Sequence, residues 1–192
     1  MTQDTLGMRR WTRREYDQLI DRGVFRPDER VELLDGLLVV KEPQGTPHTT
    51  AIDLAVEALR RAFGPGWLVR AQAPMAAGRL SEPEPDVYVV PGAPRDYLRE
   101  HPRRPVLVVE VAHRRLRLDR TRKAAIYARA GVEDYWILNL VERMLEVHRA
   151  PARLETSPGR WGFDSIQVLG AGEIVSPLAV PTARIRVADL LP

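Results

Sequence analysis

Apolar positions along the chain switch between a helical and an alternating period, and the switches mark out its elements. Ile52, Ala55, Val56, Leu59 and Phe63 recur at helical spacing and predict a helix from His48 to Phe63, stopped by Gly64, Pro65 and Gly66. Thr12-Arg13-Arg14-Glu15 has the form of a capping box and opens a shorter helix through Leu19 and Ile20 to Gly23. Between the two, Arg30 to Asp35 and Leu37 to Lys41 predict strands joined by a hairpin turn at Asp35-Gly36, with a loop from Pro43 to Pro47. Trp67 to Ala76 and Asp86 to Val90 read as further strands. The intervening Glu82-Pro83-Glu84-Pro85 cannot lie inside a sheet, because proline brings no amide donor. After a loop from Pro91 to Pro102, Val106 to Val111 is a nearly continuous β-branched run, the pattern of a central strand covered on both faces. Asp119 is placed to cap a helix from Arg120 to Ala130, closed by Gly131. Strands Tyr135 to Leu140 and Met144 to Arg149 follow, then a surface loop from Pro151 to Gly159 and a tail of short strands.

This order predicts an α/β fold: a mixed β-sheet with helices packed on it and a β-rich C-terminal part. A length of 192 residues with 44% hydrophobic content suits one domain spanning 1–192 with a real core. The chain has no cysteine, which excludes disulfides, thiolate zinc sites and a cysteine nucleophile. Any metal would have to use carboxylate, imidazole, carbonyl or water ligands, which favours hard ions such as Mg2+ or Mn2+. The N-terminal residues lack the apolar run of a secretory signal, and no stretch is long and apolar enough to span a bilayer. The expected location is the cytoplasm, with no membrane partner. Net charge is only +3, but of 29 basic residues just Lys41 and Lys123 are lysines. Arginine is the better fork for phosphate, although a compositional bias explains such a skew equally well.

Two carboxylates interrupt apolar strands. Asp86 opens its strand after a stiff, proline-rich approach, and Glu110 lies within Val106-Leu107-Val108-Val109-Glu110-Val111. A lone ionised carboxylate in such a place is costly unless it is paired or bound to metal. Val108, Glu110 and Ala112 share one face of the strand, and Glu110 sits near its C-terminal end, where α/β folds keep ligand sites. Two assignments fit each carboxylate: a metal ligand, or for Glu110 an ion pair with a nearby arginine and for Asp86 a turn cap. Directly after Glu110 come Arg114, Arg115, Arg117, Arg120, Arg122 and Lys123, six cations in ten residues. Beside a metal carboxylate they suit a phosphodiester substrate; otherwise they form a solvated, arginine-rich loop and helix start. Lys123 stands apart, one turn into the helix with Tyr127 one turn further on the same face, within reach of the strand end. His48 begins its helix, either near a substrate phosphate or as an ordinary capping residue. No His/Asp/Glu group has zinc-site spacing, and no glycine-rich loop has P-loop spacing.

Several short motifs occur in a telling order: Val31-Glu32-Leu33-Leu34-Asp35-Gly36, Glu84-Pro85-Asp86-Val87, Val108-Val109-Glu110-Val111-Ala112, Asp119-Arg120 with Lys123, Tyr127 to Val132, and Glu133-Asp134-Tyr135-Trp136. With the closing Ala188-Asp189-Leu190-Leu191, they make nearly the whole chain resemble the Uma2 family, which is assigned to the PD-(D/E)XK nuclease superfamily. The resemblance implies a restriction-endonuclease-like core. It gives Asp86 and Glu110 the acidic roles of the two half-motifs; the usual lysine position is Ala112 here, and the family pattern places the lysine on the following helix, at Lys123. It also implies an orienting or metal-assisting role for Glu32 and a nearby polar position for Gln72. The chain departs from the family at His113-Arg114, where an acidic residue or serine and then serine are common. Strand alternation sends His113 to the face opposite Glu110, so a loop or phosphate-contact role is expected for it.

The resulting expectation is metal-assisted phosphodiester hydrolysis on nucleic acid, DNA first. Asp86, Glu110 and the backbone carbonyl of Val111 would hold Mg2+ or Mn2+, and Lys123 would orient the attacking water. Arg114, Arg115, Arg117, Arg120 and Arg122, with His48 and Gln72, would contact the nucleic acid. A homodimer would suit cleavage of two strands, with the apolar C-terminal part as a candidate surface. Two alternatives stay open: a non-catalytic nucleic-acid-binding or assembly module on the same fold, and a plain scaffold whose carboxylates pair with arginines.

Overall fold

The computed structural model describes residues 9–41, 43–155 and 159–192. Helix α1, Arg13–Asp21, starts as expected: the Thr12 side chain accepts from the Glu15 backbone, and the Glu15 carboxylate accepts from the Thr12 backbone. Its buried Tyr16 donates to the Val31 carbonyl at 2.6 Å and so docks the helix on the first hairpin. Strands β1, Val31–Leu34, and β2, Leu37–Val40, form that hairpin. Asp35 and Gly36 both take positive φ, as a tight primed turn demands. At Gly36 a side chain is also excluded by space, since an added Cβ would lie 2.5 Å from Cβ of Arg10.

Helix α2, Thr46–Phe63, begins two residues before the expected His48, because Pro47 sits in its first turn, where its missing N–H costs nothing. Strand β3, Trp67–Ala71, ends earlier than the expected Ala76. Gln72 turns to positive φ, and from there to Asp86 the chain is mostly irregular, tied by Met75 N–H to Pro83 O, Ala77 N–H to Ser81 O and a single bridge between Glu82 and Leu33 of β1. That bridge brings the proline-rich approach against the first hairpin.

Strand β4, Val87–Pro91, precedes the central β5, Leu107–Ala112, all six residues of which are buried. The helix expected from Arg120 begins at Leu116. The segment runs through α3, Leu116–Leu118, a π-helical turn, Asp119–Lys123, and α4, Ala124–Arg129. The early start follows from Leu116 and Leu118, which pack against the core and pull the first turn onto the sheet. Asp119 therefore lies inside the helical run and caps nothing.

Strands β6, Asp134–Asn139, β7, Met144–Arg153, and β8, Trp161–Gly170, complete a six-stranded sheet of order β3-β4-β5-β6-β7-β8. The expected loop from Pro151 gives way to strand as far as Arg153, and the tail contains one ten-residue strand where only short ones were expected. Register explains both: Pro151, Ala152 and Arg153 continue the ladder opposite Phe163, Gly162 and Trp161. Only β5 and β6 are parallel, so the sheet is mixed, and the helical segment 116–129 is their crossover. The two-residue strands β9, Ile174–Val175, and β10, Ile185–Arg186, pair apart from the main sheet. Side-chain alternation builds two cores. Val87, Val109, Val111, Trp136 and Leu145 meet α2 and the C-terminal Leu190 and Leu191 on one face. Tyr88, Val108, Tyr135 and Ile137 meet α4 on the other. A mixed sheet between helical layers, with extra strands beyond it, is the restriction-endonuclease-like architecture expected. Among the described residues no helix is long and apolar enough to cross a membrane.

Candidate active site

The same alternation that buries Val108 and Ala112 against α4 turns Glu110 to that face. Val87 pairs with Val109, so Asp86, one residue before β4, falls at the register position of Glu110. Its carboxylate accepts the Val111 backbone N–H at 2.8 Å, which anchors it to β5. From the far side the crossover supplies Lys123, whose Nζ donates to Glu110 Oε2 at 3.0 Å and lies 3.7 Å from Glu32 and 3.9 Å from Asp119. The Tyr127 hydroxyl, one turn on, donates to the other oxygen of Glu110. Glu32 arrives on β1, where its carboxylate accepts the Glu84 N–H at 3.2 Å.

Three carboxylates, Glu110, Glu32 and Asp119, thus pair with one ammonium, with Asp86 beside them, and none of the five side chains is more than 7% exposed. Burial pushes the Glu110 carboxyl up to about 7; Lys123 opposes this, while Asp86 and Glu32 add to it. Asp119 is pushed up to about 8 by burial and then by the charge on Glu110. Asp86 goes the other way. Burial would raise it, but hydrogen bonding from His48, the charge on Lys123 and the Val111 N–H together hold it below the usual aspartate value. Burial would likewise depress Lys123, yet Glu110, Glu32, Asp119 and Asp86 outweigh it and hold the ammonium above its ordinary value. The Tyr127 hydroxyl is raised well above its usual value, by burial and then by Glu110, and so stays a proton donor.

A cavity of about 350 Å3 opens over this cluster. Glu32, Asp86, Glu110, Val111 and Lys123 form its floor, and His48, Arg114 and Arg115 stand at its walls. His48 Nε2 lies 3.2 Å from Asp86 Oδ1, so it touches the cluster directly. Gln72 does not line the cavity; its amide donates to Gln44 at 2.6 Å, and Gln44 in turn reaches Asp86 at 3.5 Å. Arg117 and Arg122 are exposed and outside the lining. Arg120 is committed elsewhere, with its guanidinium on both oxygens of Glu146 at 2.6–3.1 Å. His113, one residue past β5, escapes strand alternation and lines the cavity.

Three residues were not assigned to the site from the sequence: Asp119, expected as a helix cap, Gln44, and Lys41, the last lining the cavity with its Nζ on the Glu84 carbonyl at 2.9 Å. Asp119 carried a usable signal, since Asp119, Lys123 and Tyr127 recur every four residues. Gln44 sits in a loop and Lys41 just past the end of β2, where no periodicity points inward.

The donor set is hard oxygen with one imidazole. Among the described residues no three His, Asp or Glu side chains converge as a ready ligand group. Asp86 and Glu110 nonetheless sit side by side, each retaining acceptor capacity beyond its present hydrogen bonds. One or two carboxylates completed by water is the usual protein share of a Mg2+ site. The excess of buried acid over base is also what a divalent cation would neutralise. The residues present fit such an ion.

Comparison with known proteins places the chain. The family model of Uma2, described as "Putative restriction endonuclease", matches residues 13–185. A crystal structure described as a putative nuclease belonging to DUF820 from Anabaena variabilis superposes with a TM-score of 0.70 at 16% identity. The match covers 93% of this chain and 96% of that one, and it supports the fold. Among curated proteins, none matches the chain.

Proposed function

The chain belongs to the Uma2 family and is nuclease-like in fold, and from that premise we propose that it is a metal-dependent endonuclease hydrolysing phosphodiester bonds of nucleic acid, DNA foremost. Its main support is the buried cluster of Glu32, Asp86, Glu110 and Asp119 around Lys123, open to a cavity walled by Arg114 and Arg115. Asp86, Glu110 and the Val111 carbonyl would hold Mg2+ or Mn2+, which when bound supplies polarisation of the phosphoryl oxygen and acidification of water. Lys123 places an ammonium beside Glu110, where it can orient a water or meet charge developing on the phosphate. Tyr127 fixes Glu110, and His48 with Gln44 fixes Asp86, so both carboxylates are held before substrate arrives. Arg114 and Arg115 lie where a backbone phosphate would enter, and such contacts position a strand without reading its sequence.

The test is cleavage of supercoiled plasmid and single-stranded DNA with Mg2+ or Mn2+, wild type beside Glu110→Ala and Asp86→Ala, with EDTA as control. Cleavage by wild type alone, lost in EDTA, is expected. Full activity in either variant would remove the site assignment.

A second reading has an observation of its own. Both oxygens of Glu110 are already engaged, by Lys123 and Tyr127, and His113 adds a group the family pattern does not carry there. A non-catalytic nucleic-acid-binding module would bind DNA with the same affinity in Mg2+ and in EDTA, and would lose binding when Arg114 and Arg115 are neutralised.

A further inference from the structure

The two edges of the main sheet differ in how they are protected. At one end β3 is five residues long and carries Arg70 within it, over the Tyr88 ring at 5.6 Å. A short strand bearing a charge is a common way of discouraging edge-to-edge pairing. At the other end β8 is ten residues long, and among the described residues it pairs only with β7. Its stretch Ser165-Ile166-Gln167-Val168-Leu169 contains no charge and no proline. Ile166 is 58% exposed and Val168 55% exposed, two β-branched side chains on one face of an open strand. Among the described residues no charge, proline or covering strand protects this stretch, the one charge of β8, Asp164, lying just before it.

We infer that β8 is a self-association edge, which takes a second copy of this chain in antiparallel pairing to join two six-stranded sheets into one. The residue pattern selects the partner. With a two-fold axis through Gln167, Gln167 faces its own copy, Ile166 faces the partner's Val168, and Val168 faces the partner's Ile166. The pairing thus sets β-branched side chains opposite each other on both sides of the axis, a favourable cross-strand combination. Asp164, the nearest charge, falls opposite the partner's Gly170, whose N–H is held by the Glu173 carboxylate at 2.7 Å, so acids approach each other only at the two ends of the pairing, away from its β-branched centre. The edge is self-complementary in its residue pattern, and its centre carries no charge. The inference rests on strand geometry alone, and a catalytically inactive chain would test it equally well.

The absence of cysteine makes the test direct. In either kind of antiparallel pair, directly opposed Cα atoms lie roughly 4.5–5.5 Å apart, within disulfide reach. Gln167→Cys should therefore cross-link to a covalent dimer under mild oxidation, whereas Val141→Cys, exposed in the turn between β6 and β7, should not. Sedimentation equilibrium should give the wild type twice the 21.7 kDa chain mass. The double variant Ile166→Lys, Val168→Lys, which brings lysines opposite each other, should dissociate at least tenfold more readily. A wild type that stays monomeric up to hundred-micromolar concentration overturns the inference. So does a dimer that survives the double substitution while Gln167→Cys remains uncross-linked.

Discussion

One helical segment clamps two buried glutamates on the same sheet face, and the two clamps are built differently. Glu110 of β5 pairs with Ile137 of β6, and Ile137 pairs with Glu146 of β7, so both acids stand in one cross-strand row. Arg120 reaches down to Glu146, and Lys123, three residues on, reaches down to Glu110. At Glu146 one guanidinium serves one buried carboxylate, with the exposed Glu142 3.8 Å from the same group. Burial would raise its carboxyl, but His148 and the two-pronged Arg120 contact hold it down to about 2. At Glu110 one ammonium serves three carboxylates with a fourth, Asp86, beside them, and burial leaves Glu110 at about 7 and Asp119 at about 8. A balanced pair of this kind fastens a helix to a sheet. An excess of desolvated acid is electrostatically unfinished, and such imbalance is a mark of sites that await a cation or a proton. On the proposed function, Arg120–Glu146 is a structural clamp and Lys123–Glu110 belongs to the active site.

The sharpest way to break that contrast is to remove each cation in turn. Lys123→Met leaves four buried carboxylates with no ammonium among them. Breaking a buried pair from one side costs about 3–5 kcal/mol, and this loss is expected in urea unfolding at pH 8. It should shrink at pH 5.5, where Glu110 and Asp119 can take up protons. Adding Glu110→Gln to Lys123→Met should restore part of the loss at pH 8. A Lys123→Met that costs less than Arg120→Met would reverse the assignment of the two clamps.

Titration of the metal-free protein tests the same imbalance, with a definite sign. Glu110 and Asp119 hold protons in the folded state up to about 7 and about 8, whereas unfolded they release them near 4.5 and 3.8. Between these limits the folded state binds more protons, so stability is greatest toward the acid side and falls as pH rises through 7 and 8. Glu82, raised by burial and by Asp17, acts in the same direction. Glu146 has the opposite sense: its contribution is present above its ordinary value and is lost as pH falls toward 2. A decline on the order of 1.4 kcal/mol per pH unit for each group, while the pH lies between its unfolded and folded values, is expected in EDTA, and Glu110→Gln should reduce it by removing one group and the charge that helps raise the other. A wild-type profile that Glu110→Gln leaves unchanged would show that the strain lies elsewhere.

Much of this arrangement is legible in the sequence because it rests on period. The β-branched run around Glu110 can only be a buried strand, and two-residue alternation fixes the face on which its carboxylate emerges. Asp86, Lys123 and Glu32 do converge on it. Period fails where tertiary contact decides. Asp119 has the local grammar of a cap, but Leu116 and Leu118 draw the helix start back past it and turn it into the site. Arg120 is indistinguishable along the chain from Arg114, and only the β7 register, which sets Glu146 beneath it, takes it away from the substrate side. Gln44 and His113 lie beyond the ends of regular elements, where alternation says nothing about direction.

The finest test of the comparison is therefore between those two arginines, and it reads a slope. Each cation that neutralises a phosphate releases counterions, so its loss reduces the salt dependence of DNA binding by about one unit of log–log slope. Arg114 is exposed at the cavity wall and free to meet a phosphate, so Arg114→Gln should weaken binding across sequences and reduce the slope by about that amount. Arg120 keeps its guanidinium on Glu146, and withdrawing it would strand a buried carboxylate. Arg120→Gln should leave the slope unchanged and instead lower stability, by about 1–3 kcal/mol for an acceptor deprived of its charged donor. Fluorescence anisotropy on a short duplex across a salt series, in EDTA to exclude cleavage, separates the two. An equal loss of slope in both variants would mean that DNA pulls Arg120 off Glu146, and that the balanced clamp opens when substrate binds.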